Sequence, residues 1–126
     1  MKISKELLSE VLEGLELDYE YPIEFYNNKN AFRYWVMESP KYQSTSEYIN
    51  IYELAFKIED WIESKDINII RIKENKLYEF YINAYIDEET NELFFENSIT
   101  SETKINGIIA VGEFILKEIN AKQLQH

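Results

Sequence analysis

The only histidine in the chain is His126, its last residue, and there is no cysteine. Ser-His-Asp catalysis, imidazole acid-base chemistry, and metal sites built on imidazole or thiolate therefore lose their central groups. Gly14, Gly107 and Gly112 stand alone and match none of the glycine-rich loops that cradle phosphate. Asp87, Glu89 and Asn91 occupy the first, third and fifth positions of a calcium-loop pattern, a spacing that can converge oxygens on a hard cation. The rest of that pattern fails: Glu92 stands where a glycine is needed and Ser98 where a bidentate glutamate is needed. An acidic hairpin turn is favoured over a calcium site. A glycosidase-like or metal-assisted carboxylate pair is weighed against 24 acids, among which close pairs arise by chance on solvated faces. Tyr78, Phe80, Tyr81 and Tyr85 suggest a base-stacking platform, but no base occurs between Lys76 and Lys104 to support one. Aromatics filling a sheet is the better reading, and neither an enzyme nor a cofactor is expected.

What the chain does carry is charge. Against the 24 acids stand 13 bases, for a net charge of -11, and arginine occurs only at Arg33 and Arg71. Gripping nucleic-acid phosphates or an anionic membrane needs clustered Lys and Arg, so direct binding to either is not expected. Two windows are free of bases. The first, between Lys5 and Lys29, holds Glu6, Glu10, Glu13, Glu16, Asp18, Glu20 and Glu24. The second, from Leu77 to Thr103, holds Glu79, Asp87, Glu88, Glu89, Glu92, Glu96 and Glu102. If the first helix and strand lie beside the later strands, the windows merge into one negative surface attractive to basic grooves. The candidate interaction face is Glu6, Glu10, Glu13, Glu16, Asp18, Glu20, Asp87, Glu88, Glu89, Glu92 and Glu96. The competing reading is that the charge confers solubility alone.

The elements that position these residues follow from hydrophobic period. Ser4 to Glu13 reads as a helix, with Leu7, Leu8, Val11 and Leu12 on one face, Ser4 as N-cap and Gly14 as stop. Strict alternation from Leu15 to Tyr21 predicts a strand ending at Pro22. Asn27-Asn28-Lys29-Asn30 is turn chemistry, and Ala31 to Met37 is read as a strand. Ser39 to Glu47 reads as a loop. Asn50 and Glu53 form a capping-box variant opening a helix to about Lys65, with Ile51, Leu54, Ala55, Ile58, Trp61 and Ile62 as its apolar stripe. Ile67 to Lys73, Leu77 to Ile86 and Glu92 to Ile99 are strands joined by short connectors, hence an antiparallel meander. Both faces of the middle strand carry apolar residues, so both are expected to be covered at least in part. A last helix from Thr100 or Ser101 to about Asn120 buries Ile105, Ile108, Ile109, Gly112, Ile115, Leu116 and Ile119, with Gly112 allowing close approach to the sheet. Residues 121–126 read as a frayed tail.

The whole is a single α+β domain over residues 1–126, of order α-β-(β)-α-β-β-β-α, an antiparallel meander sheet with helices packed on it. With 45% hydrophobic and 15% aromatic residues, a chain of this length buries a core without disulfides. The N-terminus shows no secretory h-region and no apolar run is long enough to span a membrane, so a cytoplasmic location is expected.

Leu7-Leu8-Ser9-Glu10-Val11-Leu12, Pro40-x-Tyr42-x-Ser44, Leu54 to Ile62, the meander and Thr100-Ser101-Glu102 resemble small phage and prophage proteins described as ABA-sandwich domains. The likeness runs from about Leu7 to Ile119. It implies a helix-sheet-helix sandwich and an origin on a mobile element, and it supplies no functional residues. Together with the charge, it leads to the expectation of a non-enzymatic acidic module that binds a basic partner, such as a nucleic-acid-binding protein, as modulator or inhibitor. The alternative is a small accessory protein that self-associates through Tyr26, Tyr34, Trp35 and Tyr48.

Overall fold

A computed structural model describes residues 1–38, 43–65, 67–87 and 92–123, and for residues 38, 84–87, 92–95, 122 and 123 the backbone alone. The architecture is α+β, with three α-helices and two three-stranded antiparallel sheets among the described residues. The expected element order is present, with three strands ahead of the second helix. By contact the chain divides into two compact units, Met1–Lys57 and Ile58–His126.

The first unit opens with α1 (Lys5–Val11). Ser4 caps it, its hydroxyl oxygen accepting from the Leu7 N–H at 3.0 Å, and Leu7, Leu8 and Val11 are buried. The helix ends at Val11 with Leu12 as its C-cap, and Gly14, at φ +83°, sits in the turn that follows, where the Leu15 N–H donates to the Leu12 carbonyl. The strand expected over Leu15–Tyr21 does not form. Only Leu17 pairs, as an isolated bridge to Val36, and Leu15, Tyr19 and Tyr21 are exposed. The reason is local: the Asp18 carboxylate accepts from the Glu20 N–H and the Asp18 carbonyl from the Tyr21 N–H, so this aspartate turns the chain.

Pairing resumes after Pro22 as β1 (Glu24–Tyr26). A 3₁₀ turn over Asn27–Lys29 follows, closed by Asn30 in the left-handed region at φ 48°. β2 (Ala31–Glu38) lies between β1 and β3 (Gln43–Asn50). β3 occupies much of the span expected to be a loop: Gln43 to Glu47 lack the apolar alternation that marks a strand, and register with β2 supplies it instead. α2 (Ile51–Ser64) follows at once, its Tyr52 N–H held by the Asn50 side-chain oxygen at 2.8 Å. Its expected stripe, Ile51, Leu54, Ala55, Ile58, Trp61 and Ile62, is buried throughout.

The second unit takes the rest of α2, then β4 (Asn68–Glu74), β5 (Leu77–Asp87), β6 (Glu92–Ser101) and α3 (Lys104–Gln123). β4 and β5 join through Asn75 and Lys76, both left-handed at φ 49° and 68°, the two-residue turn whose twist suits a hairpin. α3 packs on β5 and β6, covering the face that carries Phe80 and Ile82. The opposite face is covered only in part: Glu79 and Asn83 are half-buried, while Ile70, Ile72, Leu77 and Tyr81 stand 57%, 43%, 44% and 37% exposed. The expected α3 stripe is buried or half-buried, with Val111 in addition. Gly107 of α3 lies against the Phe80 ring, leaving no room there for a β-carbon. Residues 121–123, expected to fray, complete α3, and residues 124–126 lie outside the described residues.

Candidate functional site: an aromatic face with a carboxylate margin

The candidate site is built on the first sheet. Alternation sends Phe32, Tyr34 and Val36 of β2 inward, where all are buried, and turns Arg33, Trp35 and Met37 outward. Register brings Glu24 of β1 and Tyr48 of β3 opposite Arg33, Ser46 opposite Trp35 and Ser44 opposite Met37. Tyr26, paired with Ala31, shares this face.

These side chains form a continuous run of ring and cation contacts. Lys29 Nζ lies 4.4 Å from the Tyr48 ring centroid, and Tyr48 meets Tyr26 edge-on at 5.8 Å. The Tyr26 hydroxyl accepts from Arg33 Nη1 at 3.5 Å, while Arg33 Nη2 donates to Ser46 Oγ at 3.3 Å. The guanidinium lies 4.7 Å from the Trp35 ring, which stacks on Tyr21 at 4.6 Å and 24°. Stacking on an indole suits a planar cation, and Arg33 Nε is buried with no hydrogen-bond partner among the described residues. The Tyr26 hydroxyl is the main reason Arg33 holds its proton more tightly than an ordinary arginine; Tyr48 and Glu24 add to it and desolvation opposes it.

The first acidic window borders this face. Glu6, Glu10, Glu13, Glu16, Glu20 and Glu24 are exposed, and none is in an ion pair among the described residues. Glu6 and Glu10 lie one turn apart on α1, away from buried Leu7, Leu8 and Val11. The bridge at Leu17 runs Glu16 and Asp18 along β2: Met37 N–H donates to the Glu16 carbonyl and Asp18 N–H to the Trp35 carbonyl, each at 2.8 Å. A shallow hollow results, lined by Ser9, Met37 and the segment from Leu15 to Glu20.

Two of the seven are engaged: Glu24 accepts from the Tyr26 hydroxyl at 3.5 Å, and Asp18 is held more firmly. The Ser44 hydroxyl donates to its carboxylate, as does the Glu20 N–H. These two bonds, in that order, with Lys5 adding a smaller attraction, outweigh partial desolvation and lower its pKa below the ordinary aspartate value. Asp18 thus belongs to the scaffold. Lys5, the base that ends the window, donates to the Tyr19 carbonyl at 2.7 Å and lies 5.8 Å from the Tyr19 ring.

The second window belongs to the other unit. Glu96 is exposed on β6, opposite Asn83. Asp87 ends β5 and Glu92 begins β6, paired with each other in backbone register, and Glu88 and Glu89 lie outside the described residues. The calcium-like pattern falls on the same stretch, between two strands, with Glu89 and Asn91 outside the described residues. No group of three His, Cys, Asp or Glu side chains placed to hold a metal ion occurs among the described residues.

Among the aromatics, Tyr26, Trp35 and Tyr48 share the outer face, whereas Tyr34 points the other way and is 7% exposed, so it belongs to the core. Burial raises the Tyr34 pKa, with Glu47 and Glu53 contributing. Tyr78 and Phe80 lie on one face of β5 and Tyr81 on the other, so they form no common platform. Sequence reasoning missed Tyr21, Arg33 and Lys29; the signal was the outward parity of β2 together with turn residues on either side. No helix among the described residues is long and apolar enough to cross a membrane. Compared with models of protein families, with curated proteins and with solved structures, the chain finds no match.

Proposed function

We propose that this chain is a non-enzymatic interaction module that binds a basic protein surface through the outer face of its first sheet and the acidic segment bordering it. The observation that carries this reading is the exposure of six carboxylates, Glu6 to Glu24, on the same compact unit as the aromatic face, with none neutralised by an ion pair among the described residues. Trp, Tyr and Arg at the centre and charge at the margin are the composition of strong protein interfaces. Carboxylates facing a basic partner accelerate encounter and select against acidic competitors. A nucleic-acid-binding protein has the required basic groove, and inhibition of such a protein on behalf of a phage or other mobile element is the biological role we assign to the module.

An arginine-rich peptide serves as the probe. Fluorescence anisotropy should show binding at low salt that weakens progressively as salt rises. No binding at low salt, or binding indifferent to salt, defeats the reading. A second reading, self-association, is favoured by Tyr26, Trp35 and Tyr48 sharing one face. Light scattering on a size-exclusion column separates the two, because a strict monomer at high concentration rules out self-assembly.

A further inference from the structure

The second unit holds a pocket of about 310 Å³, near the lower end of the range for small-ligand sites. It opens between the end of α2, β4 and α3. Its floor is apolar and belongs to the core: Ile62, Ile67, Phe80, Ile108 and Val111 are each no more than 9% exposed. The Phe80 ring lies against Gly107 of α3, where a β-carbon would not fit.

The mouth is charged and unbalanced. Glu59 and Glu63 stand one turn apart on α2, and Arg71 of β4 reaches Glu59 at 3.7 Å. Arg71 is thereby engaged, whereas Glu63 is exposed and in no ion pair among the described residues. A ligand seated on the floor therefore meets a carboxylate left over, and an anionic ligand meets two carboxylates against one arginine already taken. We propose that this pocket binds a small organic cation, an ammonium or amidinium on a compact apolar body, with the body on Phe80 and Ile108 and the charge at Glu63. The same chemistry is offered by a free amine and by the N-terminus of a peptide that begins with an apolar residue.

Heteronuclear NMR of the full chain tests it with phenethylamine, 2-phenylethanol and phenylacetate, which share a ring and differ in the head group. Phenethylamine should give saturable shifts at Ile62, Ile67, Ile108 and Val111 with a midpoint of about 1 mM or below, and the alcohol and the carboxylate should bind at least several-fold more weakly. The tripeptide Phe-Gly-Gly separates the sources: shifts at the same residues assign a peptide terminus as well, and their absence assigns the free amine alone. Glu63→Gln, a change at an exposed position that leaves the fold intact, should weaken phenethylamine roughly two- to fivefold. Equal binding of all three probes, stronger binding of phenylacetate, an unaffected Glu63→Gln variant, or no saturable shift overturns the proposal.

Discussion

The ring of Phe80 lies against the backbone of Gly107, so near that a β-carbon added to Gly107 falls within 2.6 Å of Phe80 Cζ and closer still to Cε2. The helix and the middle strand of the second sheet can approach this closely because position 107 lacks a side chain.

Gly107→Ala is therefore expected to destabilise the protein even though alanine favours a helix by up to about 1 kcal/mol. Phe80 is 1% exposed and cannot swing into solvent, so overpacking should cost about 1–3 kcal/mol. Chemical denaturation measures the difference. Pairing the change with Phe80→Leu should recover part of the loss relative to the sum of the single variants. A more stable Gly107→Ala protein would show that the contact is slack.

Lys76 occupies the second left-handed position of the β4–β5 turn at φ 68°, where a lysine is strained and a glycine is not. Lys76→Gly should stabilise the protein by about 0.5–1 kcal/mol, read as a raised denaturation midpoint at unchanged slope. The same substitution at Lys73, in regular strand, should have the opposite sign.

The fold was legible wherever hydrophobic period and capping agreed. Ser4, the Ile51 to Ile62 stripe and the three strands of the meander each followed from period with a start or stop residue beside it. It was misread where alternation stood without a partner. Leu15 to Tyr21 has a strand pattern, yet Asp18 bonds to its own following backbone and turns the chain. Gln43 to Glu47 has no strand pattern, yet β2 offers it a complete ladder. Of the candidate site, the acidic margin was readable because charge needs no register. The aromatic face was not, because which of Tyr34 and Trp35 points outward depends on pairing that no single strand reveals.

Asp18 links stability to pH. Its carboxylate titrates below the ordinary aspartate value near 3.9, because it accepts from the Ser44 hydroxyl and the Glu20 N–H. A group whose folded pKa is depressed stabilises the fold above its unfolded value and loses that contribution as pH falls through the folded value. Asp18→Asn should therefore be less stable than the parent at neutral pH, and the gap should close as pH drops below about 4. Thermal melts at neutral and acid pH provide the measurement. A gap independent of pH would mean that Asp18 contributes by shape and not by charge.

The most direct test of the account sets acids beside the aromatic face against acids elsewhere, at equal charge. One variant neutralises Glu16, Glu20 and Glu24; the other neutralises Glu47, Glu53 and Asp60, all exposed and outside both base-free windows. Each raises the net charge by three, so a bulk effect moves both alike. Anisotropy titration of the arginine-rich peptide at low salt should show roughly tenfold or greater weakening for the first variant and little change for the second. Equal weakening in both would contradict a localised site and leave the charge of this chain as a property of its whole surface.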